Sequence, residues 1–87
     1  MAQAVPQFNW STCADTSYDA CLSVTFDDGA TDVALLKEQD PAGSCNYFGN
    51  LQTDTTTEVV ATGACVGSSD DIYVSINPHY SHSVALL

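Results

Sequence analysis

Positive charge is nearly missing from this 87-residue sequence: Lys37 is the only strong base, there is no Arg, and eleven Asp and Glu leave a formal net charge of −10. Nucleic acid is therefore not expected as a partner, and neither are anionic membrane surfaces, because both are gripped through Lys and Arg. No run reaches the roughly 18–20 apolar residues of a membrane span, so no membrane insertion is expected. The first six residues, Met-Ala-Gln-Ala-Val-Pro, lack the basic and long apolar regions of an intact signal peptide. If secreted, the chain is expected to be a mature form. Catalytic patterns are missing too: there is no Gly-x-Ser-x-Gly elbow, no phosphate-binding glycine loop and no EF-hand loop. No catalytic residue is assigned, and an enzyme is not expected.

What the sequence does hold is four cysteines, none in a Cys-x-x-Cys pair. Structural zinc sites bring their ligands in closely spaced pairs, so two disulfides and an oxidising, extracellular compartment are the natural reading. Three connectivities exist. Cys13–Cys21 with Cys45–Cys65 is favoured because it joins nearest neighbours and its second bridge links two segments read as strands. A small domain of this size buries little surface, so such staples matter, and the longer loop is worth about 3 kcal/mol. Asn9-Trp10-Ser11 is a glycosylation sequon, consistent with secretion.

The chain reads as one domain, residues 1–87, without a repeat or linker. Phe8 and Trp10 alternate around Asn9 as in a short strand, with Trp10 as a core anchor. Leu22, Val24 and Phe26 alternate with Ser23 and Thr25, the period of a half-buried strand. Asp27-Asp28-Gly29 supplies a tight hairpin turn. The apolar positions Val33, Leu35 and Leu36 mark the returning strand, although residues 34–38 also suit one helical turn. A loop around Asp40-Pro41 and Gly43 follows. Residues 45–51 read as a strand with Cys45, Tyr47, Gly49 and Leu51 on one face, where Gly49 signals a bulge or a close backbone approach. Residues 53–57 form a polar hairpin tip or an O-glycosylated patch, and residues 58–62 a further strand. Ile72, Val74 and Ile76 face inward on another, ended by Asn77-Pro78. The tail from Tyr80 is either a last strand or a lead into further sequence. About six short strands without a helix indicate an all-β fold, a small antiparallel β-sandwich or open barrel.

The residues Cys45-Asn46-Tyr47-Phe48-Gly49, then Cys65-Val66-Gly67, then Tyr73 to Ile76 and Pro78 resemble the propeptide of reprolysin-type (adamalysin) zinc metalloproteases. That family carries a Cys-x-Tyr-x-Gly strand, a second Cys-x-Gly and a later Tyr–Ile–Pro segment. The match covers about two thirds of the chain. It departs where family members usually have another Gly, since residues 68–71 here read Ser-Ser-Asp-Asp, and in having no Arg for a basic processing site. The resemblance implies a β fold and a propeptide-type chaperone or inhibitor of a zinc metalloprotease.

Candidate ligand groups are few. His79 and His82 lie three apart, which on a strand points them to opposite faces, so no metal site is assigned. Asp27-Asp28 and Asp70-Asp71 read as turn formers. No cofactor is expected, apart from weak calcium binding by such loop carboxylates. The apolar ends around Phe8 and Trp10 and around Val84 and Leu86 are suited to completing a neighbour's sheet by strand addition. The chain is accordingly read as a secreted, non-catalytic structural or interaction domain, self-associating or binding a protein partner.

Overall fold

The computed structural model describes residues 6–26, 28–39, 41–68 and 70–77, and the backbone of residues 80–84. Seven strands follow one another: β1 (Gln7–Ser11), β2 (Ala20–Thr25), β3 (Thr31–Glu38), β4 (Tyr47–Leu51), β5 (Glu58–Thr62), β6 (Ile72–Asn77) and β7 (Tyr80–Val84). They form a single sheet in chain order, every neighbouring pair antiparallel. The sheet curls into a half-barrel instead of splitting into a two-layer sandwich. The tail from Tyr80 supplies the strand beyond the six read from the sequence.

Alternation sets the inward face. Phe8, Leu22, Val24, Ala34, Leu36, Val59, Val74 and Ile76 are all buried in one core cluster. The register joins them across strands, Phe8 opposite Val24, Leu22 opposite Ala34 and Val59 opposite Ile76. Burying a large aliphatic side chain fully is worth roughly 1.5–3 kcal/mol, so this row is the main source of stability. Trp10 packs against the same cluster and meets Tyr47 edge-on, with ring centroids 5.7 Å apart. It is the core anchor that its sequence position suggests.

Residues 34–38 are strand, not a helical turn, and the apolar positions of β3 divide between its two faces. Leu36 points inward with Ala34 and Asp32, all buried, while Val33 and Leu35 occupy the opposite face and are only partly buried. The acid at an inward position is accommodated by hydrogen bonds: Thr53 donates both its hydroxyl and its backbone N–H to the Asp32 carboxylate. A buried carboxylate needs such donors to offset its desolvation.

Gly49 sits where β3 and β4 come too close to admit a side chain. A Cβ placed there would lie 1.9 Å from the Leu35 carbonyl oxygen, so only glycine lets β3 and β4 come this close. The close approach read from the sequence is present.

Candidate interaction surfaces

Both disulfides form as favoured, Cys13–Cys21 with a Cα–Cα distance of 5.3 Å and Cys45–Cys65 with 4.7 Å. The first closes the β1–β2 loop. The second ties the β3–β4 loop to the β5–β6 loop. In an up-and-down meander these loops lie at the same end of the sheet, so both staples sit there. Cys45 takes a left-handed φ of 59°, and its N–H donates to the Glu38 carboxylate at 2.9 Å. Two disulfides point to an oxidising environment.

Side-chain oxygens organise the turns. Asp28 accepts from the Ala30 N–H at 2.8 Å beside Gly29, whose φ is +88°. Asp54 accepts from the hydroxyls of Thr56 and Thr57, which makes residues 52–57 a hydrogen-bonded tip. Ser68 accepts from the Asp70 N–H at 3.0 Å. Asp15 accepts from the Ser17 N–H at 2.9 Å, and this bond holds its carboxyl below the ordinary range. Asp and Ser favour turns for this reason, because their side chains bond the backbone two residues on.

The residues assigned to strand addition divide. Phe8 is fully buried opposite Val24, and Trp10 is partly buried, so both serve the core. Asn9 is exposed at the centre of β1, where its sequon is accessible. Val84 falls opposite Ile72 in the β6–β7 register. Its side chain, and the whole of Leu86, lie outside the described residues. So do Asp27, Pro78 and His79, while His82 is placed only by its register opposite Val74. Among the described residues no group of three or more His, Cys, Asp or Glu gathers as a metal site. Among the described residues no helix is long and apolar enough to cross a membrane.

At the two ends of the strand order stand β1 and β7. Neither contains a charged residue, since they read Gln-Phe-Asn-Trp-Ser and Tyr-Ser-His-Ser-Val with His neutral. With an odd number of strands, β1 and β7 run in the same direction. Joining β1 of one copy to β7 of another would give a parallel pair, whereas a two-fold join of like strands gives an antiparallel one, as everywhere else in this sheet.

One surface was missed in the sequence: the face opposite the core. Leu35, Phe48 and Val60 lie on it, with Phe48 opposite Val60 and 48 % exposed. The signal was present in β3, where Val33 to Leu36 is apolar at every position and so supplies both faces.

Comparison with known proteins finds no match among family models, curated proteins or solved structures. The likeness to reprolysin-type propeptides rests on the quoted residues alone.

Proposed function

We propose that this chain is a secreted, non-catalytic structural domain that associates with copies of itself by strand addition at its terminal strands. The observation that carries the reading is the lack of charge on β1 and β7 in a chain of net charge −10. Terminal strands of natural sheets are commonly defended by charge or proline, and an undefended one is a template for another chain. Antiparallel pairing of like strands about a two-fold axis closes at the dimer and does not propagate as a fibre. The acids outside these strands repel at long range, so association strengthens as salt shortens the Debye length from about 30 Å toward 8 Å.

Deleting the N-terminal strand is unsuitable as a test, because Phe8 belongs to the core. A charge on the exposed Asn9 is suitable. Sedimentation equilibrium of the full chain at physiological salt should show a concentration-dependent dimer. Asn9→Lys and, on the other terminal strand, Ser81→Lys place a charge in each candidate seam. One of them should return the protein to monomer with its melting temperature intact. A wild-type chain that stays monomeric at millimolar concentration overturns the proposal, as does a dimer indifferent to both substitutions.

A further inference from the structure

In a single-layer sheet the face away from the core is normally polar, yet here its centre is apolar. Leu35 on β3 and Val60 on β5 are partly buried there, and between them Phe48 on β4 is half exposed. With Tyr18 from the β1–β2 loop, Leu35, Lys37 and Phe48 line a groove of about 320 Å³. Tyr18, Leu35 and Gln52 also line a second groove of about 260 Å³, which Asp15 borders. On the same face Glu58 lies two residues before Val60, exposed and opposite Asn50. Acid therefore stands near the apolar centre at Glu58 and, beside the second groove, at Asp15, while Lys37 borders it on β3.

The charge decides what such a face accepts. Another copy of the chain would bring a second charge of −10 against it, and an anionic ligand meets the same field. An apolar centre with carboxylates near it suits a segment that alternates apolar and basic side chains, since an extended peptide presents its residues to alternate sides. The only base of the chain, Lys37, lies directly opposite Phe48 and sets one limit of the favourable region.

We infer that the outer face of β3, β4 and β5 binds an extended cationic segment of a different protein. Its apolar side chains seat on Leu35, Phe48 and Val60, and its Lys or Arg side chains face Asp15 and Glu58. This surface is separate from the terminal strands, and salt tells the two apart: self-association through β1 or β7 strengthens with salt, whereas binding here weakens.

The test is a chemical-shift titration of the isotopically labelled full chain with a synthetic nonapeptide alternating lysine and leucine. Amide shifts should concentrate at residues 35, 48 and 60, and affinity should fall from low to physiological salt. Phe48→Ser should weaken binding by about tenfold, the loss typical of a central aromatic anchor. Lys37→Glu should strengthen it severalfold. Val60→Thr is a second variant that keeps the β-branched shape and should also weaken binding. Three results would overturn the inference: equal binding of a glutamate–leucine peptide, shifts confined to the loops or terminal strands, and an affinity unaffected by both Phe48→Ser and Val60→Thr.

Discussion

Replacing Gly49 by alanine is the sharpest test of how the sheet is built, because the sign of the effect depends on one contact. In an ordinary strand interior Gly→Ala stabilises by roughly 0.5–1 kcal/mol, through the lower entropy of the unfolded chain. Here the new Cβ would stand 1.9 Å from the Leu35 carbonyl oxygen and 2.9 Å from its carbonyl carbon, both backbone atoms with no rotamer to escape into. Bringing the 1.9 Å approach even to 3.0 Å requires β3 and β4 to part by about 1.1 Å. A ladder bond near 2.9 Å stretched by that amount leaves hydrogen-bonding range. Losing two such bonds at about 1 kcal/mol each, with overpacking of about 1–3 kcal/mol, outweighs the entropic gain. The net loss is about 3 kcal/mol, or roughly 12–24 °C in a domain of this size. Thermal unfolding followed by far-UV circular dichroism, disulfides intact, measures it. Gly43→Ala is the control: its φ is +87° with no atom within 4 Å, so it should cost only about 1–2 kcal/mol. If Gly49→Ala melts at or above the wild-type temperature, or no lower than Gly43→Ala, the close approach of β3 and β4 does not exclude a side chain at this position.

Exchanging Cys45 and Cys65 together for serine opens a bridge of sequence separation 20 and should remove about 3 kcal/mol, read as a lower urea midpoint. Asp32→Ala leaves the Thr53 donors without their acceptor and should cost about 1–3 kcal/mol. Combined with Thr53→Val it should cost less than the sum, and strict additivity in that cycle would show the pair uncoupled. For Asp15 the direction follows from its depressed carboxyl pKa: the Ser17 bond contributes above the ordinary carboxylate range and is lost as pH falls through the depressed value. A carboxyl-carbon NMR titration should place Asp15 below an unstructured Asp, and Ser17→Pro should bring it back up.

The alternation of Leu22 with Val24, and of Ile72 with Val74 and Ile76, was enough to place β2 and β6, because one polar face and one apolar face leave a single register. Asp28-Gly29 and the polar tip at residues 53–57 were legible for a related reason, since those side chains close turns within two or three residues. In β3 the rule fails. Val33, Ala34, Leu35 and Leu36 offer no polar face, and the inward acid Asp32 takes, besides the adjacent Val33 N–H, the hydroxyl and N–H of Thr53, 21 residues away. No local pattern encodes such a distant partner. The outer apolar face was hidden for the same reason, since Phe48 becomes surface only once Tyr47 is known to face the core. Phe8, assigned to strand addition, has its side chain in the core, and apolar character at a chain end does not show which face of a terminal strand a residue occupies.

The pairing of the cysteines also divides the covalent chain. Cys13–Cys21 and Cys45–Cys65 close two loops that neither overlap nor enclose one another. A single cut at the Asp28-Gly29 turn would therefore give two fragments, each with its own cystine, held together by the six residue pairs between β2 and β3, the shared core and the Trp10–Tyr47 ring contact. A cut at the residue 53–57 tip would release nothing, because Cys45 and Cys65 stand on either side of it. The β2–β3 turn is thus the natural point at which to split this molecule for fragment complementation, and reassembly of the halves would report on the β2–β3 pairing together with the core that closes over it.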